Sequence, residues 1–526
     1  DRLVINAKIY SCNDKNQIFS SMAIRDGKIA GIGTDQEITD HFIAGVVEDA
    51  GGKAVFPGFI DAHCHFIGYA DYLRQADLRG TRSFDEVLKN VEAWSRETPD
   101  DWILGRGWDH NTWVGKVFPD RTKLDEMFPS RPVVLVRVDG HVLLANGEAL
   151  RRAGIHPENF QPGEVEVKNG TMTGILGENA ADKMRESVPA ADKEVMTQLI
   201  LRAEKNCFAA GLTTVNDAGS DKKTILFTDS LQKSGILKIR MTMMLNPSEE
   251  NFDYFMKKGV YKTGRLSVTS VKIYADGSLG SRSALLKHPY SDDPGKFGIT
   301  TTPAGRIRQI CDLAYRYNYQ VNTHAIGDSA VSLVLHIYGE FLKGKNDRRW
   351  RIEHAQVVDP ADISLFGKFS IIPSVQATHA TSDMYWAPDR LGKERVRWAY
   401  AYKDLMNQNG WIPDGTDFPI ENINPLLTFY AAVSRKDVKG YPEGGFQKEN
   451  ALTREEALKS ITIWAAKASF DEDTRGSLEK VKFADFVILD KDIMTTPENE
   501  IPGVKVLGTF LNGELVSFKM GAPLEK

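Results

Sequence analysis

Phe56-Pro57-Gly58-Phe59-Ile60-Asp61-Ala62-His63-Cys64-His65 is the stretch on which the reading of this chain turns. Val55–Asp61 is a short apolar run with a helical segment behind it, the pattern of a strand in a parallel α/β sheet. It leads into His63-x-His65. On an extended strand these two imidazoles point to one face, a spacing suited to gripping one metal ion. A bare H-x-H is more often a structural pair than a ligand pair, so its meaning depends on the rest of the chain.

Seven further runs repeat the pattern: Leu212–Asp217, Ile239–Met244, Val271–Ala275, Gln320–Thr323, Trp350–Glu353, Ile371–Val375 and Trp411–Gly415. Eight strand–helix units predict a closed (β/α)8 TIM barrel. A ninth run, Pro132–Val138, breaks the count, and the stretch from about 70 to 200 is too long for one crossover helix. It is expected to be an insertion over the barrel mouth. The first and last 50 or so residues read differently, as short alternating strands punctuated by Asp26-Gly27 and Asn512-Gly513 turns. Neither end holds enough strands for its own core, so the two ends are expected to form one discontinuous β-sandwich domain. The predicted division is 1–54 plus 472–526 for the sandwich and 55–471 for the barrel.

The chain has 526 residues, with 66 Lys+Arg, 71 Asp+Glu, 42% hydrophobic and 26% charged residues. This composition excludes disordered, collagen-like and coiled-coil classes. A net charge of −5 supplies no basic field for nucleic acid or an anionic membrane. No apolar run approaches the ~18 residues of a membrane span, so a soluble protein is expected. Four cysteines without a C-x-x-C pair give neither a zinc ribbon nor a disulfide framework. The start at Asp1 leaves two expectations for localisation: cytoplasmic by default, or exported after leader cleavage.

Catalytic groups of such barrels sit at the C-terminal ends of strands. Here those ends carry His63 and His65, His324, His354 and Asp417, with Lys272 inside the fourth strand. Histidines and a carboxylate form a donor set suited to Zn²⁺ or a similar divalent cation. Lys272 either faces the barrel interior, where burial leaves a nucleophilic neutral amine able to take up CO₂ as a carbamate, or lies at the rim, salt-bridged to Asp276.

Together, the opening stretch, Val271-Lys272-Ile273-Tyr274-Ala275-Asp276-Gly277, Asn322-Thr323-His324-Ala325, Arg351-Ile352-Glu353-His354 and Gly415-Thr416-Asp417 resemble the amidohydrolase superfamily. More narrowly they resemble its amidohydrolase-3 branch, which includes N-substituted formamide deformylases. The resemblance implies a (β/α)8 metallohydrolase with one or two metal ions. It implies that His63 and His65 hold one ion, that His324 and His354 hold the other, and that carboxylated Lys272 bridges them. Asp417 would both ligate and carry the proton. An unmodified Lys272 would go with a single ion. A metal-bound water, its pKa lowered to roughly 7, then attacks as hydroxide, and Asp417 delivers a proton to the leaving nitrogen.

Other groups are candidates for shaping the pocket. Trp108 is a substrate wall or a core aromatic, and Asp109 is a substrate contact or, with His110, a surface pair. His141 is expected to contact substrate or an oxyanion. Arg282, in the Gly-rich loop 277–283, either cradles an anion or pairs with a local carboxylate. His379 is a donor to substrate or a loop histidine bound to backbone, and Trp386 with Tyr385 is an apolar wall or a packed loop. No G-x-S-x-G elbow, dinucleotide fingerprint or helical H-E-x-x-H is present. The resulting expectation is a metal-dependent hydrolase of a non-peptide C–N bond in a small molecule, with a homodimer as the assembly. Two alternatives stand beside it: a mononuclear deaminase of a heterocyclic amine, and a scaffold with a degraded site.

Overall fold

The structure, a computed structural model, describes residues 1–138 and 142–518. The chain divides into two compact units, Asp1–Phe66 with Glu204–Lys526, and Ile67–Ala203.

The first unit holds the barrel. Its strands are β1 (Phe59–Cys64), β2 (Leu212–Ser220), β3 (Arg240–Leu245), β4 (Ser270–Tyr274), β5 (Gln320–Ala325), β6 (Arg351–His354) and β7 (Ile372–Ser374). Each pairs in parallel with the next. Their side chains are buried almost throughout, as expected for strands covered on both faces. The eighth run differs from its expectation. Residues 411–417 form an isolated bridge, Val375 to Asp414, in place of a strand. They still close the ring, because Val375 N–H donates to Pro413 O and Gly415 N–H to Val375 O on one side. On the other, Ala62 N–H donates to Asp414 O and Asp417 N–H to His63 O. Pro413 lacks an N–H and so interrupts a regular ladder at this point.

Closure also demands a glycine at 415. A Cβ there would lie 2.5 Å from His63 N and 2.8 Å from His63 O. Both are backbone atoms of β1, which have little freedom to retreat. Gly415→Ala is therefore expected to destabilise the protein by about 1–3 kcal/mol, seen as a lower denaturant midpoint at unchanged slope. An unchanged midpoint would contradict the close approach.

Strands from both termini share one sheet in the order Glu514–Phe518, Val506–Leu511, Phe486–Leu489, Ala54–Pro57, Lys8–Tyr10, Ile18–Phe19. A second sheet holds Lys28–Gly33, Ser21–Arg25, Arg2–Ile5 and Val46–Asp49. Val4, Ile24 and Ile29 of one sheet and Phe486, Ile488 and Phe510 of the other meet in a single apolar core. Both predicted turns have positive φ at their two central residues, Asp26 and Gly27, then Asn512 and Gly513. That geometry suits the right-handed twist of a two-residue hairpin. The run Val55–Asp61 straddles a junction: Ala54–Pro57 belongs to the terminal sheet and β1 begins at Phe59. Arg240, at the start of β3, is buried with its guanidinium on Asp485 at 2.6 and 3.1 Å, tying barrel to sandwich.

The second unit is a folded α/β module. Its sheet runs Val165–Lys168, Thr171–Leu176, Leu143–Ala145, Val133–Arg137, Ile103–Trp108, Gln75–Asp77. One face packs on the helix Phe84–Glu97 and the other on Gly147–Ala153 and Glu178–Ser187. The ninth run thus finds its place in a sheet outside the barrel. Among the described residues no helix is long and apolar enough to cross a membrane.

Candidate metal centre

The predicted ligands meet at the C-terminal ends of the barrel strands. His63 lies near the end of β1 and His65 just beyond it; Lys272 is central in β4, His324 is in β5, and His354 ends β6. Asp417 follows the closing segment, and His379 lies on the helix Ala377–Asp383 behind β7. The ligand atoms of His63, His65 and Asp417 lie within 4.8 Å of one another, as do those of His354, His379 and Asp417. Asp417 Oδ1 is 3.3 Å from His65 Nε2 and 3.7 Å from His63 Nε2, while Oδ2 is 3.6 Å from His379 Nε2. His354 and Asp417 both have positive φ, 74° and 58°. Such conformations are costly for residues with a Cβ and cluster at functional sites.

Hydrogen bonds behind the candidate ligands set which ring nitrogens face the centre. His63 Nδ1 bonds Glu353 Oε2 at 2.5 Å, which leaves Nε2 as the lone-pair nitrogen, 3.2 Å from Lys272 Nζ. Glu353 is held in turn by Arg351, at 2.6 and 2.9 Å, and all three residues are fully buried. His354 Nδ1 donates to Gln376 Oε1 at 2.7 Å, freeing its Nε2 in the same way. Such outer partners orient metal-binding imidazoles and raise their basicity. Sequence reading passed over the roles of Glu353 and Gln376. The signal for Glu353 was available: on a strand, Arg351 and Glu353 share a face, and a charged pair in an otherwise buried strand marks an internal network.

The electrostatics suit cation binding. Burial pushes the His63 imidazole down to about 4 and His324 down to about 3, and holds His354 well below its ordinary value. These rings are neutral at pH 7, as ligation requires. Burial likewise brings the Lys272 amine down to about 8. Burial alone would raise the Asp417 carboxyl, but His65, His354, His63 and His379 around it hold it far below the usual range. Asp417 Oδ1 and His379 Nε2 are buried without a hydrogen-bond partner.

Three of the candidate residues take up definite surroundings. His324 is grouped with neither set of three; its Nε2 lies 3.3 Å from Gly277 O, and its ring centroid is 4.6 Å from that of His354. His379, read as a loop donor, sits on a helix beside His354 and Asp417. Lys272 is interior and makes no ion pair with Asp276 among the described residues. The Asp276 carboxylate instead accepts the backbone N–H groups of Leu285, Ile326 and Gly327 at 2.8–3.0 Å.

A cavity of about 350 Å³ opens onto the centre, lined by His65, Lys272, Tyr274, His324, His354, His379, Trp386 and Asp417 among others. Trp386 therefore reaches the pocket, packed 3.3 Å from where a side chain on Gly280 would lie. Arg282 does not: its guanidinium is on Asp292 at 2.9 and 3.0 Å, which makes the loop a tight turn and not an anion cradle. Trp108 is a core aromatic of the second unit, with its indole N–H on Leu135 O at 2.8 Å. Asp109 pairs with Arg137 at 2.8 Å, and the His110 ring stacks on Phe118, so this couple is built into that unit and is no solvated surface pair. His141 lies outside the described residues.

The sequence model of the Amidohydrolase family matches residues 46–517. The chain belongs to the amidohydrolase family. As an amidohydrolase it is a metal-dependent enzyme that hydrolyses C–N bonds of small molecules. It is 32% identical to the protein LONG AFTER FAR-RED 3 of Arabidopsis thaliana over 98% of this chain and 91% of that one. It is 24% identical to the N-substituted formamide deformylase of Arthrobacter pascens, over 98% of each. The crystal structure of a metal-dependent hydrolase from Pyrococcus horikoshii superposes with a TM-score of 0.80 at 29% identity, covering 94% of this amidohydrolase and 99% of that chain.

Proposed function

We propose that this amidohydrolase cleaves a non-peptide amide-type C–N bond, with an N-substituted formamide or an acylated amine as the model substrate. One observation carries the reading: Asp417, an ionised and buried carboxylate with an unpartnered oxygen, faces four histidine rings and lies in one cavity with a buried lysine amine. The resemblance to a formamide deformylase supports the same bond type.

The donor set fits a divalent cation such as Zn²⁺. His63 and His354 present free Nε2 lone pairs, and Asp417 Oδ1 is a buried anion without a hydrogen bond. His63, His65 and Asp417 would hold one ion, and His324 and His354 a second, with carboxylated Lys272 as a further ligand. A bound cation would acidify water and polarise the scissile carbonyl. The chain supplies the rest. Asp417 takes the proton of the attacking water, whose oxygen joins the carbonyl carbon. As the C–N bond breaks, Asp417 passes that proton to the leaving nitrogen. His379 lines the cavity with its Nε2 buried and without a hydrogen-bond partner; protonated there, it would donate to the carbonyl oxygen as negative charge develops. Lys272, brought down to about 8, has enough neutral amine near neutral pH to take up CO₂.

Chelation is expected to abolish hydrolysis of an N-benzylformamide-type substrate, and added Zn²⁺ to restore it. Metal analysis of the active protein should find two ions per chain. Ammonia release from heterocyclic amines, with one ion bound and formamides left intact, would overturn this reading in favour of a deaminase.

A further inference from the structure

The part of the reaction cavity that carries Trp386 is held from behind. Among the described residues, 275–303 form no helix or regular strand, yet Leu279 and Gly280 of this strap line the cavity. Irregular segments of such length are uncommon in compact domains unless they serve a function. The strap is fixed by the helix Ala387–Arg395, which starts directly after Trp386. Arg390 lies one helical turn beyond Trp386, so its side chain reaches back over the indole. Its guanidinium carbon is 5.6 Å from the ring centroid. The same group donates from Nε and Nη2 to Gly280 O, at 3.3 and 3.2 Å, and from Nη1 to Asp292.

Asp292 is shared between the two segments. It also accepts Arg282 Nε and Nη2, at 3.0 and 2.9 Å, so one carboxylate joins an arginine of the strap to an arginine of the helix. The neighbouring backbone is pinned as well: Ser291 N–H donates to Arg390 O at 2.9 Å, and Arg395 Nη2 to Pro289 O at 2.7 Å. On the cavity side, a Cβ on Gly280 would stand 3.3 Å from the Trp386 ring, so strap and indole are in contact. Leu279, Ile326, Trp386 and Ile420 give the cavity apolar lining. Neither Arg390 nor Asp292 lines it.

We infer that Arg390 is a positioning residue for substrate selection. One guanidinium holds Trp386 and Gly280 together, with Asp292 as its anchor, and so fixes the width of the cavity where it receives an apolar substituent of the substrate. A lysine would not substitute, because a point charge cannot stack on the indole while forking to Gly280 O and Asp292. The inference rests on the amide-hydrolase reading above and names the substrate class within it: amides with a bulky apolar group beside the scissile bond.

The test compares N-benzylformamide with N-methylformamide, which share the scissile bond and differ in the apolar group. The zinc-loaded wild-type protein is expected to show the lower KM for the benzyl substrate. Arg390→Ala should raise that KM about threefold or more, with kcat unchanged and the kinetics of N-methylformamide unmoved. Loss of activity on both substrates alike, or no change on either, would overturn the inference, since a merely structural clamp does not sense substrate size. Asp292→Asn keeps the side-chain volume and lies outside the cavity, so it repeats the test should Arg390→Ala not fold. A selective rise in the benzyl KM supports the inference there, and an unmoved KM overturns it. Calorimetry with benzyl methyl ketone and butanone, which have no scissile bond, reads the same wall without turnover. Neither formamide cleaved by the wild-type protein, with the ketone affinity ratio still narrowed by Arg390→Ala, would sink the amide-hydrolase reading and leave the role of Arg390 standing. Cleavage of both formamides with the benzyl preference unmoved in the variants would do the reverse.

Discussion

Asp417→Asn is expected to lower kcat by at least about 10²-fold, with the fold retained. The substitution keeps the shape of the side chain and an oxygen for the surrounding imidazoles. It removes the negative charge that His65, His354, His63 and His379 stabilise, and with it the site that takes a proton from water and returns it to nitrogen. The Asp417 N–H bond to His63 O, which closes the barrel, is a backbone bond and survives the change. The check is single-turnover hydrolysis at saturating zinc, with circular dichroism to confirm folding. A near-normal rate would remove Asp417 from the mechanism.

The largest effect on stability is expected from Glu353→Ala. Glu353 bridges His63 and Arg351 through bonds of 2.5–2.9 Å; burial would raise its carboxyl, but Arg351 and His63 hold it well below the ordinary value. Deleting it leaves the Arg351 guanidinium buried and short of its counter-charge, although bonds to Ala62 O and Ser374 Oγ remain. Breaking a buried pair in this way costs about 3–5 kcal/mol. Freed of Glu353, the His63 ring also loses its fixed tautomer, so zinc affinity should fall about 10–100-fold. Urea unfolding of the metal-free protein reads the first effect and zinc titration the second. Wild-type values in both would show that the Arg351–Glu353–His63 chain is dispensable. Glu353→Gln is the graded control, since it keeps an acceptor for His63 while losing the charge that faces Arg351.

Much of the architecture was legible because it is written in local pattern. Buried parallel strands leave short apolar runs, and two-residue hairpins need left-handed residues, which Asp26-Gly27 and Asn512-Gly513 supply. The exception is instructive. Trp411–Gly415 has the apolarity of a strand, yet Pro413 removes a donor, and the contact of Gly415 with β1 replaces a regular ladder with a single bridge. The insertion was recognisable by length alone. That it carries its own sheet with apolar clusters on both faces was not, because its strands pair with partners beyond any local window.

The metal-type residues divide in the same way. His63, His65, His324, His354 and Asp417 were singled out because donor type and position at a strand end are properties of the chain read locally, and Lys272 because a lysine within an apolar strand is conspicuous. Their partners were not. Glu353 bonds His63 from 290 residues away, a proximity that exists only once the barrel has closed. Arg282 shows the converse: a basic residue in a glycine-rich loop suggests an anion site, but the fold brings Asp292 to it. By itself, then, the sequence determined which chemical groups are present, the parallel α/β architecture and the family resemblance. Only the tertiary structure decided which nitrogen of His63 and of His354 faces the centre, that His379 joins Asp417, and that Arg282 is turned to Asp292. The reason is physical: side-chain type and backbone periodicity are carried by neighbours in sequence, whereas tautomer, pKa and pocket charge are set by groups that become neighbours only in the folded chain.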